Sequence, residues 1–204
     1  MVSEQIIRRG INNPQILQAF RNTPRHLFVL PTQQDSAYMD CPLPIGCGQT
    51  ISQPYMVALM TQSLNVSPEM SVLEVGTGSG YQAAILSFLG AKVYSIERFS
   101  ALAQNAMSVL ASLGYAVTVK VGDGTLGWQE HSPYDRIIVT AAAPHIPSPL
   151  LGQLKIGGRI AIPLGGSFHQ DLAIIDKISE KEIKEEMICG CIFVPLIGEY
   201  GYKE

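Results

Sequence analysis

Residues 71 to 81 read Ser71-Val72-Leu73-Glu74-Val75-Gly76-Thr77-Gly78-Ser79-Gly80-Tyr81. A short apolar run ends in three alternating glycines, and a helix-like stretch follows. That is a strand, a tight turn and a helix start. A second apolar run, Lys92 to Ile96, ends in Glu97. A glycine turn with an acid at the tip of the next strand is how a doubly wound sheet holds a nucleoside. The glycines let the backbone approach a ligand with no Cβ between them. The acid can accept hydrogen bonds from both ribose hydroxyls.

The spacing narrows the ligand. Dinucleotide sites use G-x-G-x-x-G, with a pyrophosphate on the helix N-terminus. Here the pattern is G-x-G-x-G, and Tyr81 stands where the third dinucleotide glycine falls. Glu74, just ahead of the turn, would repel a pyrophosphate but could accept a bond from an ammonium group. A ligand with ribose, adenine and an amino-acid end but no phosphate fits better, and S-adenosylmethionine is such a ligand. Glu74, Gly76, Thr77, Gly78, Gly80 and Glu97 are the candidate contacts. The bland alternative is a glycine-rich turn that binds nothing; strand, helix and distal Glu97 together argue against it.

Strands are expected at 71–75, 92–96, 116–121, 135–140 and 158–163, and helices at 80–89, 99–113 and 147–154. This alternation predicts an α/β fold, a Rossmann-like doubly wound and mostly parallel sheet covered on both faces. Ligands of such sheets sit beyond the carboxyl ends of the strands. Gly76, Glu97, Asp123 and Ala141 all fall just past expected strand ends. Upstream, Pro14 divides residues 3–20 into two short helices, and a helix is expected over Gln53 to Leu64. Downstream, Leu172 to Ile178 and Met187 to Val194 should pair as an antiparallel hairpin around the charged turn Ser179 to Glu186. The whole chain, 1–204, reads as one domain: an N-terminal helical cap and loop (1–65), a cofactor-binding core (66–165) and C-terminal strands (166–204).

The bulk composition excludes several classes. Hydrophobic residues make up 47% and charged residues 15% of the 204 residues, which suits a globular core and not a disordered chain. A net charge of −3 leaves no nucleic-acid footprint. No apolar run approaches the ~18 residues that span a bilayer, and Met1 to Phe20 lacks an apolar signal core. A cytoplasmic monomer is expected, with no membrane or nucleic-acid partner. Cys41, Cys47, Cys189 and Cys191 form no C-x-x-C pair and read as buried free thiols. The scattered histidines (His26, His131, His145, His169) give no metal-ligand spacing, so no metal is expected.

The second informative stretch is Leu43-Pro44-Ile45-Gly46-Cys47-Gly48-Gln49-Thr50-Ile51-Ser52-Gln53-Pro54. It reads as a loop running into a helix, where free backbone N–H groups can face a carboxylate. Ser52 could donate to the same group. Serine ahead of a first-turn proline is also a common helix cap. Both roles can hold together.

These motifs, with Val72-Leu73-Glu74-Val75-Gly76-Thr77-Gly78-Ser79-Gly80-Tyr81 and Ile138-Val139-Thr140-Ala141-Ala142, resemble the protein-L-isoaspartate O-methyltransferase family. The likeness runs from Pro24-Arg25 to Phe193-Val194-Pro195-Leu196. Gly48-Gln49-Thr50-Ile51-Ser52 is particular to that family, whereas the glycine motif is shared across Rossmann-like methyltransferases. The resemblance implies methyl transfer from S-adenosyl-L-methionine to the free carboxylate of isoaspartyl residues in proteins and peptides, leaving S-adenosyl-L-homocysteine. It implies Ser52 as the active-site serine, Gly76, Gly78 and Glu97 in the cofactor site, and Asp123-Gly124 beside the adenine. Gln170 matches a position near the cofactor. Thr50, Ile51, Ala141, Ala142, Val194 and Leu196 fall in the substrate groove. Cys47 departs from the pattern, since members often carry histidine or glutamine there.

A carboxylate acceptor is ionised at neutral pH, because its free pKa is ~4. It needs no general base, and the Gly48 to Ser52 stretch offers none. A nucleophilic serine would need a base and an oxyanion hole, so Ser52 should orient the acceptor instead. An extended peptide is expected to pair with free main-chain groups near Val194 to Leu196 and Ala141-Ala142. Two rivals stand beside this reading: a methyltransferase of the same fold acting on another carboxylate, a small molecule or a nucleic-acid base, and a non-catalytic relative that only binds the cofactor.

Overall fold

The computed structural model describes residues 1–166 and 169–203. A π-helical turn (Val2–Ile6) and a 3-10 turn (Ile7–Arg9) open the chain. Helix α1 (Pro14–Asn22) starts at the proline expected to divide this region, with Asn13 Oδ1 accepting the Gln15 and Ile16 amides. Two 3-10 turns, Arg25–Phe28 and Pro31–Ser36, lead to strand β1 (Leu43–Gly46) and β2 (Gln49–Ile51). The expected loop at 43–52 is therefore a hairpin. Its two-residue turn places Cys47 at φ 52 and Gly48 at φ 70, the left-handed pair that suits the twist of tight hairpins.

Helix α2 (Pro54–Leu64) follows, then β3 (Ser71–Val75), α3 (Tyr81–Phe88), β4 (Lys92–Glu97), α4 (Ser100–Ser112), β5 (Val117–Val121), β6 (Tyr134–Val139), α5 (Ser148–Gly152), β7 (Leu154–Gly165), β8 (Gln170–Lys177) and β9 (Ile183–Cys191). One sheet runs β5-β4-β3-β6-β7-β8-β9. Its first five strands are parallel, and β8 and β9 are antiparallel. This is the Rossmann-like methyltransferase architecture. The strand order reverses between β3 and β6, so the crevice for a ligand opens there.

Alternation along β3 assigns its side chains to two layers. Val72 joins the core beneath α1 to α4, while Leu73 and Val75 join the core on the opposite face with Ile137, Val139 and Ile160. Ile6, Ile11, Ile16 and Phe20 belong to the first of these cores, so the N-terminal segment packs onto the same sheet.

Two expectations shift. The helix at 147–154 is only Ser148–Gly152, because Leu154 already pairs with Tyr134 in β7. The hairpin lies at 170–177 and 183–191, not at 172–178 and 187–194. Charge suggested a turn over Ser179 to Glu186, yet Ile183 to Glu186 form part of an edge strand exposed on both faces, where charge blunts unwanted pairing. The actual turn is closed by Glu182, whose carbonyl accepts the Ile178 and Ser179 amides. The cysteines are free, as expected, but not buried: Cys47 is exposed at the hairpin tip and the other three are half-buried.

Candidate active site

The glycine turn is fixed by its neighbours. The Gly76 and Thr77 amides both donate to Ile96 O, at 2.8 and 3.2 Å. Thr140, just past β6, donates its hydroxyl to Gly76 O at 2.6 Å. Gly76 lies at φ +98, and a Cβ there would meet Thr140 Oγ1 at 2.4 Å, so only glycine fits. Glu97, only 5% exposed, reaches back from the end of β4. Its Oε2 accepts the Gly78 amide at 2.8 Å and its Oε1 the Phe99 amide at 3.0 Å. A carboxylate has about four lone-pair positions, so both oxygens keep capacity for a ligand diol.

A narrow cavity of about 60 Å³ is lined by Gly76, Gly78, Glu97, Phe99, Gly124, Thr140, Ala141, Leu196 and Ile197. It shares Thr50, Thr140 and Val194 with a groove of about 760 Å³ that holds Ser52, Tyr55, Arg9 and the 189–194 segment. A third, small cavity brings Thr50, Ile51 and Ser52 against Gly76, Thr77 and Gly78. Thr50 and Thr140 line all three. The structure thus brings together most of the cofactor and substrate candidates at the switch point of the sheet.

Ser52 is not a helix cap. Gln53 occupies the cap position of α2, with no side-chain cap bond. The Ser52 hydroxyl has no hydrogen-bond partner among the described residues, although the side chain is half-buried. The capping alternative falls, and a donor is left beside the groove.

Other candidates sit behind the surface. Glu74 shares the face of Val72, beneath α3, and is fully buried. Its register partner on β4 is Ser95, whose hydroxyl donates to Glu74 Oε2; Ser95 in turn bonds Thr77 Oγ1 at 2.6 Å. Burial pushes the Glu74 carboxyl up to about 8, against the Ser95 bond, and Glu97 adds repulsion. Glu74 therefore touches the turn through Ser95 and Thr77 and lines none of these cavities. Gly80 is buried against Leu110 and Ala106 of α4, a packing position. Asp123 ties down the C-terminal segment: Oδ1 accepts the Thr125 amide and hydroxyl, and Oδ2 accepts the Glu199 amide at 2.8 Å. It lines an adjoining open cleft with Arg98 and Lys203. Gln170 bonds both the amide (2.7 Å) and the carbonyl (3.2 Å) of Phe193, so it supports the segment leading into the site.

The expected free main-chain groups near 141–142 and 194–196 are not free. The Ala142 amide donates to Val194 O at 2.8 Å and the Leu196 amide to Ala142 O at 2.7 Å. This pairing follows because the chain leaves β9 at Cys191 and crosses to the end of β6. The open edge belongs to β9, the outermost strand, whose Cys189, Gly190 and Cys191 line the groove. Thr140 was missed by sequence reasoning; a lone hydroxyl ending the apolar run Ile137-Ile138-Val139 was the available signal.

The fold is that of a Rossmann-like methyltransferase, with a groove adjoining the cavity at the glycine turn. The protein-L-isoaspartate(D-aspartate) O-methyltransferase (PCMT) family matches residues 1–201. A protein-L-isoaspartate O-methyltransferase of Syntrophus aciditrophicus is 56% identical over 206 residues, covering 100% of this chain and 94% of that one. A second from Pelobacter propionicus is 53% identical, covering 99% and 91%. Among solved structures, a protein-L-isoaspartate O-methyltransferase superposes with a TM-score of 0.87 at 29% identity; it covers 96% of this chain, which spans 64% of that one. The chain belongs to the PCMT family, as the sequence motifs implied. The two rival readings are not favoured. Among the described residues no helix is long and apolar enough to cross a membrane.

Proposed function

We propose that the chain methylates the free carboxylate of L-isoaspartyl residues in proteins and peptides, with Ser52 orienting the acceptor. The observation that carries this is the Ser52 hydroxyl, without a hydrogen-bond partner among the described residues and set where the groove meets the glycine turn. The residues fit S-adenosylmethionine: a glycine cradle closed to any Cβ at 76, and a buried acid with free lone pairs at 97. The bound cofactor supplies an activated methyl on a sulfonium. Gly76, Gly78 and Glu97 would hold its nucleoside, and Gly124, where a Cβ would run into Val75, lines the same cavity.

Ser52 donates to one carboxylate oxygen and leaves the other free to attack. A neutral hydroxyl suits this task, since it aligns the oxygen without quenching its charge. Alignment and dehydration are the main work, and proximity can supply ~7 kcal/mol or more. The methyl ester carries a better leaving group, methoxide, than the carboxylate does. The adjacent backbone nitrogen attacks the ester carbonyl and expels methanol, which takes the amide proton; the resulting succinimide adds water and reopens in part to normal aspartate: a repair. The substrate is read through its main chain, pairing as an extended segment with the open edge of β9. The reading includes a cytoplasmic monomer; four unpaired cysteines suit a reducing compartment.

Labelled S-adenosylmethionine, offered with matched isoaspartyl and aspartyl peptides, tests the function. Base-labile label on the isoaspartyl peptide alone is expected; label on neither, or on both equally, refutes it. Ser52→Ala should lower turnover strongly and leave S-adenosylhomocysteine binding unchanged. Equal loss of both would make Ser52 a fold element only.

A further inference from the structure

Helix α2 begins without a cap of its own. Pro54 carries no N–H, Gln53 makes no side-chain cap bond, and the Ser52 hydroxyl has no hydrogen-bond partner among the described residues. The first-turn amide is satisfied from far along the chain: Asp40 Oδ1 accepts the Tyr55 amide at 3.1 Å. The other Asp40 oxygen accepts Arg9 Nη1 at 2.8 Å. The Arg9 guanidinium in turn lies over the Tyr55 ring, 3.3 Å from its centroid. Three segments close a ring around the first turn of the helix. A carboxylate suits that place, because the helix dipole and the free amides favour an anion.

Ser52 and Tyr55 have the i, i+3 spacing at which a serine caps its own helix. In this molecule that bond is not made, because Asp40 already fills the amide. We propose that Asp40 is a positioning residue of the active site: held by Arg9, it caps α2 in place of Ser52 and so frees the Ser52 hydroxyl for the acceptor carboxylate. The proposal rests on the reading of Ser52 given above. With Asp40 removed, the Tyr55 amide takes the nearest oxygen, the serine turns inward, and the acceptor loses its donor. Arg9 contributes by restraining Asp40, and its position on the wall of the same groove keeps that restraint next to the site.

A double-mutant cycle on the full chain decides. Asp40→Leu, which lacks an acceptor, is expected to lower kcat about tenfold, with the dissociation constant of S-adenosylhomocysteine unchanged by calorimetry. Asp40→Asn, which keeps an acceptor, recovers most of that loss. In a Ser52→Ala background Asp40→Leu lowers kcat no further. The same factor with and without Ser52 would overturn the proposal while leaving the Ser52 reading intact. A Ser52→Ala enzyme with full kcat would sink both. Should Asp40→Leu lose its fold by circular dichroism, Arg9→Met carries the cycle instead: a fall in kcat seen only when Ser52 is present supports the proposal, and a fall independent of Ser52, or none, overturns it.

Discussion

The Glu97 carboxylate accepts the Gly78 amide at 2.8 Å, tying the end of β4 to the glycine turn that follows β3. The same group accepts the Phe99 amide through its other oxygen. One buried acid therefore holds two loops, and on the proposed reading its remaining lone pairs would meet a ribose. Glu97→Gln places an NH2 against one of those amides and removes the charge. Its affinity for S-adenosylhomocysteine should fall by more than ~1 kcal/mol, read by calorimetry. An unaltered dissociation constant would refute the ribose role.

Glu74 gives a pH prediction with a definite sign. Its carboxyl is raised from the ordinary 4.5 to about 8 in the folded chain, chiefly by burial. The folded state thus holds a proton that the unfolded state releases, and folding stability falls as pH rises between those two values. Glu97, at the end of the neighbouring strand, strengthens the effect by repulsion. Glu74→Gln cannot ionise. Without cofactor it should melt above the parent at pH 9, with the gap closing toward pH 5. A gap that is constant with pH would show that Glu74 does not titrate in this range.

The sheet and the glycine turn were legible in the sequence because each rests on local information. Five apolar runs, most of them spaced by helices, mark β3 to β7, and Gly76, Gly78 and Glu97 carry their own spacing. The face of Glu74 was readable in principle, since it shares the period of Val72, but its chemistry suggested a ligand contact first. Partners remote along the chain were not legible. Nothing in the sequence joins Asp40 to Tyr55, Gln170 to Phe193 or Ala142 to Leu196, because each bond exists only after distant segments pack. The hairpin shifted for a related reason: Lys184, Glu185 and Glu186 look like a turn until their strand is known to be the sheet edge.

Gly76 and Thr140 should be coupled. Gly76→Ala adds a Cβ 2.4 Å from Thr140 Oγ1 at a φ of +98, so it carries both a clash and backbone strain. Loss of S-adenosylhomocysteine binding by more than about tenfold is expected, with a lower Tm. Adding Thr140→Ala removes the clash but not the strain. The double variant should regain part of the Tm, a departure from additivity expected for residues in contact. Strict additivity of the two losses would show that the close approach does not limit this turn.

A variant at Gln170 should affect the proposed peptide groove and the proposed cofactor cavity unequally. Its amide clamps both main-chain groups of Phe193, and it lines neither the cofactor cavity nor the groove. Phe193 and Val194 line the groove, whereas only Val194 reaches the cofactor cavity beside Leu196 and Ile197. The Val194 to Leu196 stretch is held independently by Ala142. Loss of the clamp therefore loosens the groove wall more than the cofactor wall. Gln170→Ala should raise the KM for an isoaspartyl peptide about five- to tenfold, the effect of two lost hydrogen bonds partly replaced by water. The dissociation constant of S-adenosylhomocysteine should move by less than about twofold. A larger change in cofactor affinity than in peptide KM would restore the direct cofactor contact that the sequence alone suggested.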